Sequence, residues 1–363
     1  MEQIIKKVLK KIESNGYEAY LVGGYVRDVV LARKSFDIDI CTNALPKDLN
    51  KIFPNCQNNN YGGINFRIKR FNFDITTYRK EKKYESRKPV EIEYINNLIE
   101  DINRRDFTIN ALCMNSKGYI IDLINGMEDI KSKTINVIGN CAIKFKEDPL
   151  RMLRAIRFMT VLDFKLSDEV LLQIKQNVEL IKTLSYNRIK EELDKILLSP
   201  NFKKGIMILE ELGILNLLNI KNQNIVYVND LLGMWAQFDF GFNSAFTKEE
   251  KNNIINIRKI IRLNKIDEKV LFNYGLYLSL VAGKIIGVNK VYINKLYKQM
   301  PIYNKQDVAI NNQDIMDILN IEPSEILNVI MQDIIDDILA KTIKNNYQDI
   351  KRYLLRKKET WIK

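Results

Sequence analysis

The chain has 363 residues, enough for two or three domains with their own cores, and 46% of them are hydrophobic, as in ordinary globular proteins. Lys and Arg outnumber Asp and Glu by 57 to 45, and the net charge of +12 favours a polyanionic partner. Histidine is absent, which excludes Ser-His-Asp triads, HExxH zinc sites and histidine-dependent metal phosphohydrolase domains. No segment approaches the roughly 20 apolar residues of a membrane span, and no signal peptide is recognisable, so we expect a cytoplasmic protein without a membrane partner.

The four cysteines are scattered along the chain without a CxxC motif: Cys41, Cys56, Cys113 and Cys141. Their spacing is neither that of a disulfide framework nor that of a zinc site. We therefore expect each cysteine to be a small buried hydrophobic residue with no disulfide partner.

In chain order, apolar residues at helical spacing predict a first helix over residues 4–12. A second, short helix is predicted over residues 45–53. Alternating and β-branched segments predict strands at residues 19–22, 64–69, 73–78 and 120–123. From residue 147 onward the periodicity is helical, so the sequence predicts a mixed N-terminal part and a helical remainder.

Two aspartates lie in an apolar segment that we predict as a further strand. Because strand side chains alternate between faces, Asp37 and Asp39 point to one face while Ile38 and Ile40 point to a core. Adjacent carboxylates repel each other unless a cation lies between them, and oxygen ligands near phosphate suit Mg²⁺. The pair therefore predicts a magnesium site, although alternating acids on a half-exposed strand are most often simply solvated.

A glycine pair, Gly23-Gly24, separates the first predicted strand from a short helix. Glycine lets the backbone approach a ligand closely, and amides at the start of the following helix face an anion. Arg27 adds a positive charge one turn later. A glycine pair alone usually marks a plain turn, but the order of strand, glycines, helix and acidic strand indicates that phosphates and a divalent metal meet here.

Residues 21–42 resemble motif A of polymerase-β-like nucleotidyltransferases and, more narrowly, of class II tRNA nucleotidyltransferases and bacterial poly(A) polymerases. The family pattern GGxVRDxLLGxxxxDIDxxT is kept except at Val30, where the family has Leu, and at Ala32, where it has Gly. The resemblance implies that the catalytic carboxylates are Asp37 and Asp39, as ligands of Mg²⁺, with Asp74 assisting from the segment DITTYR.

Residues 104–112, RRDFTINAL, match the family's motif B without a change, and Asp122 and Gly126 match its next signature. A double arginine before a helix suits a triphosphate, although as bare sequence it would most often be a solvated turn. The resemblance assigns the triphosphate and ribose to a set of glycine and arginine residues: Gly23, Gly24, Arg27 and Arg105.

Residues 79–90, RKEKKYESRKPV, are highly charged and lack periodicity, which by itself predicts a disordered surface loop. In the family, a flexible loop at this place separates enzymes that add the terminal A from those that stop after CC. This chain keeps the loop, with family-like residues at Arg79, Tyr84, Arg87 and Pro89. The resemblance thus argues against an enzyme that adds CC only.

Residues 147–157, EDPLRMLRAIR, resemble the family's motif D, EDxxR. Asp148 and Arg151 are neighbours on a helix, where an acid at the N-terminus and arginines on the outer face would be unremarkable surface features. The resemblance implies that they read the incoming base, supported by Arg154 and Arg157. A carboxylate accepts from the amino group of C or A and a guanidinium donates to the ring nitrogen, whereas U and G have the opposite polarity.

The helical remainder resembles the family less closely. Residues 185–197 follow the pattern SxERIxxELxKIL, except for Asn187 in place of Glu, and residues 307–346 resemble the tail of Gram-positive-type CCA-adding enzymes, with Ser324 where glycine is usual. Beyond residue 340, eight basic residues are interleaved with aromatic ones. This pattern predicts either a solvated C-terminal helix or a surface that follows an RNA backbone.

The resemblance implies an α+β head with a small mixed sheet over residues 1–140, a helical neck over 141–200, and a helical body and tail over 201–363. The head would be catalytic, the neck would recognise the base, and the body and tail would bind tRNA. The implied reaction is template-independent addition of CCA, from CTP and ATP, to the 3′ end of tRNA by two-metal nucleotidyl transfer, with Mg²⁺ as cofactor. The alternatives are a poly(A) polymerase, an A-adding half-enzyme, and a non-catalytic RNA-binding protein that retains the fold.

Overall fold

The computed structural model describes residues 2–54, 56–59, 62–85, 88–222, 224–240 and 245–361. The chain forms two compact units, Met1–Leu218 and Asn219–Lys363. The first unit combines a mixed sheet with helices, and the second is largely helical. The predicted fold class, an α+β head followed by helical segments, is therefore confirmed.

The strands of the first unit are β1 (Ala19–Val22), β2 (Asp37–Thr42), β3 (Gln57–Asn59), β4 (Gly63–Ile68), β5 (Phe71–Thr77), β6 (Arg79–Glu85), β7 (Lys88–Tyr94), β8 (Cys113–Met114), β9 (Ile120–Ile121), β10 (Thr134–Ile135) and β11 (Lys165–Leu166). Within the described residues, seven of them form one mixed sheet in the order β3-β4-β5-β2-β1-β8-β9. β2 pairs antiparallel with β1 and parallel with β5. The strand that carries the aspartate pair is therefore central and is held on both sides.

β2 shows the alternation that its sequence predicts. Ile38 and Ile40 are fully buried, whereas Asp37 is exposed and Asp39 is partly exposed on the opposite face. Burying a side chain of this size stabilises the fold by about 1.5–3 kcal/mol. Register is tightly specified where one face is buried, so the two isoleucines keep the carboxylates on the open face.

The helices of the first unit are α1 (Gln3–Glu13), α2 (Gly24–Val30), α3 (Pro46–Ile52), α4 (Leu98–Asn103), α5 (Gly126–Lys131), α6 (Cys141–Glu147), α7 (Leu150–Leu162), α8 (Asp168–Asn177), α9 (Tyr186–Leu197), α10 (Phe202–Glu211) and α11 (Ile214–Leu217). α7 is buried along most of its length and packs against α9 and α10. The contact with α10 depends on Gly205, where a Cβ atom would lie 2.6 Å from both Ile196 and Thr160. α10 and α11 thus belong to the first unit, and the predicted division at residues 140 and 200 stays a prediction.

The charge pattern of residues 79–90 predicted a disordered loop, but the structure shows two strands in this segment. β6 and β7 form a separate antiparallel pair, with Arg79 opposite Tyr94 at its base. Backbone hydrogen bonds hold such a pair whatever its side chains, so an apolar alternation is not needed to form it. Arg87 lies outside the described residues, as do the side chains of Tyr84 and Pro89.

The second unit contains β12 (Lys221–Asn222), β13 (Phe238–Asp239), α12 (Leu231–Trp235), α13 (Lys248–Leu263), α14 (Glu268–Ile285), α15 (Lys290–Lys298), α16 (Asn312–Leu319), α17 (Ile326–Leu339) and α18 (Tyr347–Trp361). α18 is the predicted basic C-terminal helix. Tyr353 is buried in it, and Trp361 donates from Nε1 to Asp333 Oδ2 at 2.7 Å. The ring of Tyr353 therefore packs inward, and Trp361 is tied to α17 by its indole N–H.

Among the described residues, no helix is both long enough and apolar enough to cross a bilayer. The four cysteines are free thiols. Cys41, Cys113 and Cys141 are buried as predicted, whereas Cys56 is only partly buried.

Candidate active site

The sheet register brings the three predicted carboxylates together. In the parallel pairing of β2 with β5, Asp39 lies directly opposite Asp74, and Asp37 lies two residues away on the same face. Burial, followed by the negative charges of Asp74 and Asp37, raises the pKa of Asp39 to about 6, against the opposing effect of Arg105. The carboxylates at this edge therefore repel one another, and a cation bound between them would relieve the repulsion.

Two asparagines hold the outer carboxylates in place. Asn72 donates from Nδ2 to Asp37 Oδ1 at 2.9 Å, and the amide of Asn65 donates to Asp74 Oδ1 at 3.1 Å. Each asparagine is the cross-strand partner of the aspartate that it contacts. Sequence analysis missed both residues, although Asn72 precedes Asp74 by two positions and so shares its face.

The donor set at this edge fits a divalent metal ion. Asp37 and Asp39 offer hard oxygen ligands, and Asn72 occupies only one oxygen of Asp37. In the part of the chain that the structure describes, no three His, Cys, Asp or Glu side chains form a complete metal cage. Asp37 and Asp39, with Asp74 beside them, are the residues that would hold the ion.

Position 23 requires glycine because the side chain of Asp39 packs closely against its backbone. Its φ is +77°, and a Cβ atom at this position would lie 2.7 Å from Asp39 Oδ2. Any other residue would therefore combine a strained backbone with a clash against the carboxylate. We predicted that the glycine pair admits a ligand. Both glycines border the adjoining cleft, and the close neighbour at Gly23 is Asp39.

Arg27 is held by neighbouring side chains. Its Nη1 donates to Asn110 Oδ1 at 2.7 Å, and its Nε and Nη2 donate to Asp28 Oδ1 at 2.9 and 2.8 Å. The side chain is 10% exposed, and the guanidinium lies 5.3 Å from the ring centroid of Phe158. Arg27 therefore supplies charge to the cleft from a fixed position and also ties α2 to the 3-10 helix Thr108–Asn110.

Phe158 on α7 is surrounded by three guanidinium groups: Arg27 at 5.3 Å, Arg154 at 5.7 Å and Arg157 at 4.2 Å. Each cation is attracted to the electron-rich face of the ring. Arg154 also donates from Nε to Asp106 Oδ2 at 2.8 Å, and Arg157 Nε lies 3.2 Å from Glu192 Oε2. The predicted supporting arginines are thus fixed by the ring and by their own carboxylate partners.

Asp148 and Arg151 also have partners within the first unit. Asp148 Oδ1 accepts from the backbone N–H of Leu150 at 3.1 Å, and its Oδ2 lies 3.4 Å from Nη2 of Arg188, which sequence analysis did not single out. Arg151 donates from Nη1 to Glu147 Oε2 at 2.9 Å and is largely buried. Asp148 therefore acts at the start of α7 as a helix-end acceptor, and its role in reading a base stays a prediction.

A cleft of about 990 Å³ in the first unit collects the predicted nucleotide-binding residues. It is bordered by Gly23, Gly24, Arg27, Asp37, Asp39, Arg105, Asp148, Arg151, Arg154 and Arg157. Its volume is at the upper end of the range for small-molecule sites. Asp74 borders a second depression, of about 640 Å³, which shares Asp37 and Asp39 with the first. The aspartate pair therefore stands between two concave surfaces.

Clustered carboxylates on adjacent strands, beside a cleft lined with arginines, define a nucleotidyltransferase site on a polymerase-β-like sheet. Residues 19–136 match the family model described as the poly A polymerase head domain. Residues 163–220 match the model for the probable RNA- and SrmB-binding site of polymerase A, and residues 245–354 match the putative tRNA nucleotidyltransferase domain 2.

The chain is 32% identical to the CCA-adding enzyme of Limosilactobacillus reuteri, over 94% of this chain and 93% of that protein. It is also 32% identical to the CCA-adding enzyme of Anoxybacillus flavithermus, over 96% and 95% of the two chains. It resembles the crystal structure of the Bacillus stearothermophilus CCA-adding enzyme in complex with CTP, with a TM-score of 0.86, 24% identity and 99% coverage of both chains. The chain belongs to the CCA-adding enzyme family of tRNA nucleotidyltransferases, and the predicted family is confirmed.

Proposed function

We propose that this chain adds CCA to the 3′ end of tRNA, using CTP and ATP and no template. One observation carries the proposal: the parallel register of β2 and β5 places Asp74 beside Asp39, where the arginine-lined cleft begins. A carboxylate edge that favours a cation and a basic cleft of nucleotide size are the two parts that nucleotidyl transfer needs. The near-full-length similarity to CCA-adding enzymes supports CTP and ATP as substrates.

We propose Mg²⁺ as the cofactor, held by Asp37 and Asp39 with Asp74 assisting. When bound, Mg²⁺ would lower the pKa of the primer hydroxyl and neutralise charge on the leaving pyrophosphate. Asn72 and Asn65 orient the outer carboxylates so that one oxygen of each remains directed away from its amide partner. Second-sphere contacts of this kind tune metal affinity.

We assign the triphosphate and ribose to the set predicted from the sequence: Gly23, Gly24, Arg27 and Arg105. Arg105 borders the cleft, and despite the cost of burial the charge of Asp101 raises the pKa of its guanidinium, which therefore stays protonated. Arg27 contributes its charge from the fixed position described above. The cleft thus presents permanent positive charge to a polyanionic ligand.

We assign base reading to Asp148 and Arg151, with Arg154 and Arg157 as supports. Asp148 and Arg151 border the same cleft, so a base in it can meet a carboxylate acceptor and a guanidinium donor together. That pairing accepts the amino group and ring nitrogen of C or A, and leaves buried groups unpaired with U or G. The ion pairs of Arg154 with Asp106 and of Arg157 with Glu192 keep the supporting arginines in one geometry.

We further propose that residues 1–140 act as the catalytic head, residues 141–200 as the base-recognising neck, and residues 201–363 as the tRNA-binding body and tail. The net charge of +12 supports a polyanionic partner such as tRNA. Since tRNA is processed inside the cell, we propose a cytoplasmic location.

The test is incubation of the purified chain with three tRNA substrates, lacking CCA, ending in C and ending in CC, each with CTP and ATP, followed by sizing of the products. We expect all three to end in CCA and to grow no further. Addition only to the CC-ended tRNA would instead identify an A-adding enzyme. A long A tract would identify a poly(A) polymerase, and no extension would identify a non-catalytic RNA-binding protein.

A further inference from the structure

Asp101 on α4 is a fully buried carboxylate for which the proposed function has no role. We propose that it is a positioning residue: it fixes Arg104 and Arg105 at the nucleotide cleft and links them to the base of the β6–β7 hairpin. The inference rests on the proposed function for the identity of the ligand, CTP or ATP. It adds a residue that sets the position of the triphosphate-binding arginines.

The contacts of Asp101 come from two parts of the chain, the start of β6 and the two residues that follow α4. Its Oδ1 accepts from Arg104 Nε at 2.8 Å and from the backbone N–H of Arg79 at 3.2 Å, and its Oδ2 accepts from Arg105 Nη2 at 3.0 Å. Burial alone disfavours the charged carboxylate, but Arg105 and Arg104 outweigh it and hold the pKa of Asp101 below its usual value. Asp101 therefore stays ionised, and its charge-assisted hydrogen bonds are of the strong kind.

The two arginines reach the cleft from this anchor. Arg104 and Arg105 both border the cleft, and the side chain of each is 16% exposed. Two adjacent guanidinium groups repel each other, so a carboxylate bound to both is needed to hold them side by side. Asp101 supplies that carboxylate, and both arginines that it binds border the cleft in which the ligand would lie.

The anchored arginine shares the cleft with the proposed metal ligands. Arg105, Asp37 and Asp39 all border it. The contact of Arg105 with Asp101 therefore fixes a guanidinium in the same cleft as the carboxylates, where a bound triphosphate would meet both.

The remaining contact of Asp101 connects the hairpin. Arg79 is the first residue of β6, directly after the fully buried Tyr78, and the backbone N–H of Ile95 donates to Tyr78 O at 3.1 Å where the hairpin closes. A displacement of the hairpin base moves a donor of Asp101, and therefore the carboxylate that orients both arginines. By linkage, a nucleotide that binds best to the arginines in this position also stabilises the matching position of the hairpin base.

The test compares Asp101→Asn and Asp101→Ala with Glu100→Gln, a matched control that removes a carboxylate from the neighbouring, exposed position on α4. The Kd values of CTP and ATP are measured by equilibrium titration without tRNA, together with thermal melts. We expect both Kd values to rise about tenfold or more in Asp101→Asn, because a charge-assisted hydrogen bond is lost, and further in Asp101→Ala. Glu100→Gln should stay within about twofold.

The hairpin link has its own pair of variants. Arg79→Pro removes the backbone N–H that Asp101 accepts, whereas Arg79→Ala keeps it. We expect Arg79→Pro to weaken nucleotide binding severalfold relative to Arg79→Ala, in a protein that melts cooperatively. Equal Kd values for these two variants would overturn the link to the hairpin.

Unchanged Kd values in a cooperatively folded Asp101→Asn protein, with only a lower melting temperature, would overturn the positioning role. These measurements need no tRNA. A wild-type chain that binds CTP and ATP but does not extend tRNA would refute the proposed function, while the comparison of Kd values would still decide the role of Asp101. Failure of one proposal is therefore distinguishable from failure of the other.

Discussion

The two sides of the active-site cleft differ in how their charged groups are paired: like charges are neighbours on one side, and opposite charges are paired on the other. On the sheet side, Asp37, Asp39 and Asp74 share one face, and burial with mutual repulsion raises the pKa of Asp39 to about 6. On the side formed by α4, α7 and α9, arginines have carboxylate partners, as Arg154 has Asp106 and Arg157 has Glu192. The sheet side gains stability when a cation binds, whereas the arginine side holds its shape before any ligand arrives.

The difference separates two tasks. Metal-dependent transfer needs ligands whose repulsion is relieved by the ion, and such ligands are costly in the folded apo state. Orientation of a nucleotide needs groups that do not reorganise when it binds, and a paired arginine is preorganised in that sense. Variants on the sheet side should therefore change chemistry more than stability, and variants on the arginine side should change selectivity and stability together.

The largest effect is expected for Asp39→Asn, which removes the central carboxylate. Incorporation of both CTP and ATP should fall about 10⁴-fold or more, as for loss of a group that acts as part of a catalytic unit. The melting temperature of the metal-free protein should stay the same or rise, because a negative charge that is repelled by its neighbours Asp37 and Asp74 is lost. Single-turnover assays and melts in EDTA measure the two quantities. Retention of ordinary activity with either nucleotide would remove Asp39 from the catalytic set.

Asp148→Ala tests the arginine side, where the same residue accepts from the first backbone N–H of α7 and is assigned to the base. Loss of the acceptor for Leu150 N–H should cost about 0.5–1.5 kcal/mol of stability. Discrimination against UTP and GTP should fall on the order of 10²-fold or more, since a site built for one hydrogen-bonding polarity rejects the other strongly.

Values of kcat/KM for all four nucleotides, measured beside thermal melts, separate the two roles of Asp148. A lowered melt with unchanged nucleotide ratios would leave Asp148 only as the acceptor for the first backbone N–H of α7. Asp168→Ala is the control, since it removes an exposed carboxylate at the start of another helix, α8, that does not border the cleft.

Asn72→Ala tests how the carboxylates on the sheet side are oriented, and it leaves all three of them in place. Asp37 would lose the amide that orients it, and second-sphere losses of this kind lower metal affinity by about 10–100-fold. Activity at saturating Mg²⁺ should largely recover, whereas that of Asp39→Asn should not. A Mg²⁺ titration of activity, with direct Mn²⁺ binding as a second readout, measures the shift. Equal metal affinity in wild type and variant would contradict the role of Asn72.

The smallest effect is a difference in pH dependence between the two sides. The pKa of Asp39 is raised, so the native state binds more protons than the unfolded state between about pH 4 and 6, and this group lowers stability as pH rises through that window. The pKa values of Asp101 and Asp106 are lowered, so at acidic pH the native state binds fewer protons than the unfolded state. These two carboxylates therefore stabilise the fold above the ordinary aspartate pKa, and that stabilisation is lost as pH falls below it.

Melts of the metal-free protein from pH 3 to 7 check this difference in sign. Asp39→Asn should flatten the decline between pH 4 and 6, and Asp101→Asn should reduce the loss of stability below pH 4. The same slope in wild type and both variants would mean that neither carboxylate has the shifted pKa on which the contrast rests.

Much of the site could be predicted from the sequence. The two-residue period of a strand was enough to put Asp37 and Asp39 on one face and Ile38 in the core, because alternation is a local property of the backbone. The charged segment at 79–90 shows the limit of such reasoning. Its strands are paired through backbone hydrogen bonds, which leave no apolar pattern, so periodicity predicted a disordered loop.

Only the tertiary structure determined the contacts between segments that are far apart in the chain. Asp74 is next to Asp39 because β5 pairs with β2 in one register, and Asn65 reaches Asp74 only through the pairing of β4 with β5. Asp101 precedes Arg104 and Arg105 by three and four residues, a spacing that is local, but its contact with the backbone N–H of Arg79 depends on the fold. The close neighbour of Gly23 is likewise a distant residue, Asp39. Spacing along the chain specifies which face a side chain occupies, whereas its partners depend on register and packing, which many segments determine together.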